Sequence, residues 1–126
     1  MINNETAVCS LASKLVFSCS GAPDVGEISD KAARKLTKDG IGKMFFLVGI
    51  GGKAEPIMSA TKSASQIPPI DGCGMDCVKN CLQQVGFDNL KRLRITDIGM
   101  EKGESPVKDE CVAKAIQEAK DLFSNE

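Results

Sequence analysis

The sequence predicts an α/β protein: a single domain over residues 1–126, built as a three-layer sandwich around a mostly parallel four-stranded sheet. Three observations carry that expectation. Short apolar runs alternate with amphipathic segments, so strand and helix signals take turns along the chain. The alternation repeats four times, and right-handed crossovers turn successive βα units into a sheet covered on both faces. The composition is globular, with 42% apolar and 26% charged residues in 126, enough to bury a core without staples.

Taken in order, the first strand is expected at KLVFSC, ending on Cys19. After the turn SGAP, Asp24 with Glu27 three residues on forms a capping-box pattern. Val25, Ile28, Ala32 and Leu36 follow at helical spacing, and Gly40 and Gly42 end that helix. KMFFLVGI is apolar almost throughout, which predicts a second strand that is central and buried on both faces. GGKAEPIMSATKSAS reads as a weaker helix. QIPPID should give a short or distorted third strand, because Pro68 and Pro69 cannot donate ladder hydrogen bonds. CGMDCVKNCLQQVGF reads as a helix opened by Cys73 and closed by Gly86. LKRLRITDI alternates Leu93 and Ile95 with Arg92, Arg94 and Thr96, which suits a strand with one wet face near an edge. A last helix over 109–123 turns Val112, Ala115, Ile116, Ala119 and Phe123 inward.

Composition narrows the function classes. Sixteen Lys and Arg stand against seventeen Asp and Glu, a net charge of −1, and the basic residues are scattered. Nucleic acid is therefore not the expected partner, since phosphate binding needs clustered positive charge. No run of apolar residues is long enough to span a bilayer, so no membrane is expected. The N-terminal segment lacks a basic n-region, and the expected location is cytoplasmic, where thiols stay reduced. The chain contains no histidine. That removes Ser-His and Cys-His nucleophile pairs, and leaves thiolate, carboxylate, backbone or water as metal ligands.

Six cysteines remain, at 9, 19, 73, 77, 81 and 111. In a parallel sheet, ligands sit beyond the carboxyl ends of the strands. Cys19 with SGAPDVG, the GIGG turn at 49–52 and DGCGMDC all fall there. Residues four apart on a helix differ by about 40° in direction, so Cys77 and Cys81 share a face. Cys73 at the helix start would feel the positive end of the helix dipole, which favours a thiolate. Cys81, beside Leu82 and Val85, reads as a core residue. Cys9 and Cys111 have no companion ligands and read as structural.

The glycine-rich turns invite nucleotide readings. Gly21 and Gly26 match phosphate-loop spacing, but Glu27 and Ile28 stand where Lys and Ser or Thr belong. CSGAPDVGEIS contains no Arg, so a phosphatase loop starting at Cys19 is dismissed. GIGGKA, with Gly49, Gly51 and Ala54, fits a loose dinucleotide fingerprint and leaves a nucleotide-binding α/β domain as one alternative.

VFSCSGAPDVGEISDKAARKLTKDGIGKMFFLVGIGG followed by IDGCGMDC resembles the DGC-domain family, named for the motif that is Asp71-Gly72-Cys73 here. The resemblance covers most of the chain. It implies a small α/β domain whose four recurrent cysteines are proposed to bind zinc, and it supplies no established reaction. Carried across, Cys19 matches the cysteine of CSGA, Cys73 that of the DGC motif and Cys77 the one four residues later. The fourth falls at Phe46. Cys19, Cys73 and Cys77 are thus the metal ligands implied, with zinc the cofactor and a metal ion the partner. Three thiolates leave a position for water, whereas closed structural sites have four protein ligands. Cys81 as a substitute ligand stays open. So does a thiol-dependent redox or sulfur-transfer enzyme using Cys73 or Cys19.

Overall fold

In the computed structural model, residues 14–88 and 90–123 are described. Cys9, expected to be structural, lies outside them. Four parallel strands form one sheet in the order β2-β1-β3-β4. They are β1 (Leu15–Ser18), β2 (Lys43–Met44), β3 (Pro69–Asp71) and β4 (Leu93–Arg94). Helices α1 (Asp24–Lys38), α2 (Leu47–Gly51), α3 (Glu55–Lys62), α4 (Cys77–Gln84) and α5 (Asp109–Phe123) connect and follow them, with a 3-10 turn at Ile95–Asp97.

Strand residues alternate between two cores, as pleating requires. Val16, Ile70 and Leu93 point to the side where α1 and α5 bring Val25, Ile28, Leu36, Ala115, Ala119 and Phe123. Leu15 and Phe17 point to the other side, against Ile50, Val78 and Leu82 of α2 and α4. This is the three-layer α/β sandwich that the sequence predicts. Both α1 and α4 end in the same motif. The N–H of Ile41 reaches Leu36 O and that of Phe87 reaches Leu82 O, each 3.0 Å, across a glycine at positive φ, Gly40 or Gly86.

The proline-bearing strand is short, three residues, as expected, and it lies between β1 and β4. It works because β3 serves β1 as an acceptor: Phe17 N–H donates to Pro68 O and Cys19 N–H to Ile70 O. Proline keeps its carbonyl, so only the donor side of the ladder suffers.

Two expectations are corrected. KMFFLVGI is not a buried central strand. β2 is a two-residue edge strand, and the chain turns at Phe46 into α2. Ile50 is fully buried, while Phe46 is 60% and Val48 89% exposed. A short apolar run fits strand or helix equally by periodicity, and here the helical spacing of Leu47 and Ile50 wins.

The capping box is also absent. Pro23 holds the N-cap position of α1 with no side-chain cap. Asp24 is the first helical residue, and its carboxylate accepts N–H groups from Val25 (2.8 Å), Gly103 (2.8 Å) and Ser105 (2.9 Å). It ties the loop before α5 to the start of α1. The bonds from Gly103 and Ser105 are the main causes that hold its pKa below the usual carboxylate range. A depressed folded pKa contributes stability above the unfolded pKa of about 4, lost as pH falls through the folded value. Asp24→Ala is therefore expected to unfold at lower urea than wild type at neutral pH, with the difference shrinking in acid. A difference that persists undiminished at low pH would assign the loss to packing instead.

Candidate functional site

The connection after β1 leads to α1 on one face, and that after β3 leads to α4 on the other. Neighbouring strands whose connections part in this way leave a crevice at their carboxyl ends. Cys19 follows β1 and Gly72 follows β3, so both line that crevice. The Gly72 N–H donates to Cys19 Sγ at 3.3 Å.

Two glycines allow this approach. A Cβ on Gly72 would lie 2.9 Å from the Gly26 nitrogen, and one on Gly26 would lie 2.4 Å from Ser20 O. Below, the buried Ser29 hydroxyl donates to Ile70 O at 2.6 Å and fixes α1 to β3. Burial pushes the Cys19 thiol pKa up. The Gly72 N–H and the Ser29 side chain oppose that rise, and the neighbouring acidic groups of Asp71 and Cys77 add to it.

Asp71, the last residue of β3, is 1% exposed. Its carboxylate accepts the N–H of Val78 at 2.7 Å and of Lys79 at 3.2 Å, in the first turn of α4. The motif carboxylate is thus the helix cap, placed where backbone N–H groups lack partners. Burial raises its pKa, the two N–H bonds pull it back, Asp76 raises it further and Arg92 lowers it.

Asp76 supports the helix start by another route. It is a non-glycine residue at φ 54°, a costly left-handed conformation. Arg94 grips it through Nε (3.0 Å) and Nη2 (2.9 Å), and Arg92 Nη2 also bonds its carboxylate. Arg92, just before β4, and Arg94, within it, therefore clamp the residue immediately before Cys77.

The thiols divide by position. α4 begins at Cys77, not Cys73. Cys73 sits in the preceding turn, where Asp76 N–H donates to its carbonyl, so the expected place on the first helical turn is corrected. Its half-buried side chain packs toward the α1–α5 core. Cys77 is exposed. Cys81 is half-buried, one turn on, and packs on the Phe17, Ile50 and Leu82 cluster, as does Cys19. Burial is the main cause that raises the Cys81 pKa, and the neighbouring acidic groups of Cys77 and Asp71 add to it. Cys111 packs on the α1–α5 core. All five described cysteines are free thiols.

Phe46 lines a cleft of about 330 Å³ together with Cys19, Ser20, Asp30, Phe45 and Val48. Its ring packs on Phe45, centroids 5.0 Å apart, and forms one open wall beside Cys19. Gly49 and Gly51 lie within α2, not in a turn after a strand. The dinucleotide fingerprint loses the context it requires, and Gly49 is accounted for by packing: a Cβ there would meet Ile57 at 2.7 Å.

The donor types suit a thiophilic ion, because thiols from two motif segments line the crevice and its neighbouring helix. The distances are less complete. Among the described residues, no group of three or more Cys, Asp or Glu side chains stands close enough to hold an ion.

Sequence reasoning missed the Asp71 cap, the Gly72 donor and the arginine clamp. Each acts across a gap in sequence that no local capping or turn pattern covers. The one visible trace was the alternation of Arg92 and Arg94 in LKRLRITDI.

Fold and crevice together define a doubly wound α/β protein with thiols gathered where the connections part. The chain belongs to the DGC domain family, whose model matches residues 15–119. Over 109 residues it is 28% identical to the anaerobic and virulence modulator AnvM of Pseudomonas aeruginosa, covering 86% of this chain and 79% of that protein. No solved structure matches the chain significantly. No helix among the described residues is long and apolar enough to cross a membrane.

Proposed function

We propose that this DGC domain binds a thiophilic metal ion, zinc in the first instance, at the crevice between β1 and β3. Cys19, Cys73 and Cys77 are the donors the family motif offers. The observation that carries the proposal is the Gly72 N–H bond to Cys19 Sγ, which ties two motif segments 53 residues apart to one point. When bound, the ion supplies the positive charge that holds thiols deprotonated.

The thiol-enzyme alternative, through Cys19 or Cys73, needs a nucleophile whose pKa is lowered by its surroundings. Burial raises the Cys19 pKa instead, which favours a ligand over a nucleophile at that position. The name of the Pseudomonas relative, a modulator, favours a regulatory role for the ion over a catalytic one. Free thiols in such a site suit a reducing compartment such as the cytoplasm.

Protein purified anaerobically should carry close to one metal per chain. Cys19→Ser, Cys73→Ser and Cys77→Ser should each lose most of it, with far-ultraviolet dichroism unchanged. Uptake by the metal-free protein should release protons, so apparent affinity should climb with pH. A wild-type chain with well under one metal, and no uptake of added zinc, overturns the proposal. Chelation then sorts its role: a large fall in thermal midpoint marks a structural ion, a small one an ion held for transfer.

A further inference from the structure

We infer that the cleft beside Cys19 binds a small organic cation, a primary amine carried on an aromatic or branched apolar body. The inference does not rest on the metal-binding proposal, and its experiment needs no metal. The first argument is the apolar lining. The cleft measures about 330 Å³, at the small end of ligand sites, and Phe45, Phe46 and Val48 border it. The ring of buried Phe17 meets Phe45 edge-on, centroids 6.0 Å apart, so that part of the lining is pre-formed. Phe46, Val48 and Met75 are the large apolar side chains left most exposed among the described residues, and two of these three border this one opening. A ligand that covers them removes apolar surface from water.

The second argument is charge. Asp30 is the one carboxylate lining the cleft, and among the described residues no lysine or arginine lines it. Burial raises the Cys19 thiol pKa, so that thiol adds no charge at neutral pH. Asp30 meets Arg34 through Oδ2 at 2.8 Å, and the Arg34 side chain is 67% exposed. An ion pair so open to water holds weakly, so an incoming ammonium competes for the carboxylate. The Phe45 and Phe46 rings, centroids 5.0 Å apart and planes at 59°, add a second attraction for a cation and a surface for its apolar body. The same lining turns other classes away. A carboxylate or phosphate would face Asp30 with no lining cation to hold it. A free amino acid brings a carboxylate with its amine, which leaves amines without one as the class that fits.

Phenethylamine is the probe, with phenylacetate and phenethyl alcohol as anionic and neutral counterparts of similar shape. Titration followed by amide NMR should give saturable shifts at Cys19, Ser20, Phe46 and Val48 with the amine, weaker ones with the alcohol and none with the acid. Asp30→Asn should weaken amine binding by at least about tenfold, the scale of one hydrogen bond to a charged group, with far-ultraviolet dichroism unchanged. Arg34→Ala should tighten it, because the competing cation is gone, whereas a merely structural role of the ion pair would leave affinity where it was. The amine should also slow alkylation of Cys19 and leave Cys111 unaffected. Equal binding of amine and acid overturns the inference, as does an Asp30→Asn variant that binds the amine like wild type. Absence of saturable shifts up to the solubility limit of the amine overturns it too. None of these outcomes depends on whether the chain takes up zinc.

Discussion

Gly26→Ala should be among the most damaging single-methyl additions to this protein. In an exposed helix interior the same change gains about 1 kcal/mol of helix propensity. Here the new Cβ would lie 2.4 Å from Ser20 O and within 3.0 to 3.2 Å of the Pro23 ring. Ser20 O is backbone and cannot rotate away, so the turn after Cys19 must shift. Overpacking of this kind costs about 3 kcal/mol, which outweighs the propensity gain. The expected net fall in stability is about 2 kcal/mol, or roughly 8 °C in thermal midpoint for a domain of this size. The damage should also reach the thiols. Gly72 packs on the Gly26 backbone, so displacing one moves the N–H that meets Cys19. Cys19 should then alkylate faster than in wild type, at temperatures where the variant is still folded. Gly74→Ala is the control, because nothing lies within 4 Å of its Cβ position. A Gly26→Ala variant as stable as Gly74→Ala would contradict the close approach on which the crevice depends.

That same approach shows which parts of the molecule a sequence can display. Helices α1 and α5 were legible because one face repeats Val25, Ile28, Ala32 and Leu36, or Ala115, Ala119 and Phe123, over four turns. The parallel sheet followed from alternation of strand and helix signals. The segment 43–50 was misread because its apolar residues suit either period, and tertiary packing of Ile50 decided between them. The convergence of Cys19 with the DGC motif was foreseeable from topology, since both follow parallel strands. The pairing of Cys81 with Cys19 on one face was not. It depends on where α4 begins, and that is set by Asp71 and by the arginine clamp on Asp76, contacts between residues seven to eighteen positions apart. The sequence reading opens this helix at Cys73, whereas α4 begins at Cys77. The turn at Asp76, with its positive φ, separates Cys73 from the helix.

Asp71→Asn should destabilise the protein and loosen Cys77 specifically, although it removes a buried charge. The two effects oppose each other, and their sizes decide. Burial raises the carboxyl pKa, so the charge is a net cost to the fold. Yet both Asp71 oxygens are used, one for Val78 N–H and one for Lys79 N–H. An asparagine presents one oxygen and one NH2 group, so one backbone N–H would face another donor. A buried donor left without a partner costs about 1 to 3 kcal/mol, and Val78 is fully buried. Loss of the cap should therefore exceed relief of the charge, with a net cost of about 1 to 2 kcal/mol. Fraying of the first turn of α4 should appear as faster hydrogen exchange at Val78 and Lys79. The pH dependence separates the two contributions in metal-free protein. A raised folded pKa means that the folded chain keeps a proton which the unfolded chain releases. Wild-type stability then declines as pH rises from the unfolded carboxyl value of about 4 through the folded one. Asn carries no such term. The margin of wild type over Asp71→Asn should accordingly be widest in acid, narrow across that interval and stay level above it. A margin that widens with pH would mean that the helix N-terminus more than compensates the burial of this carboxylate.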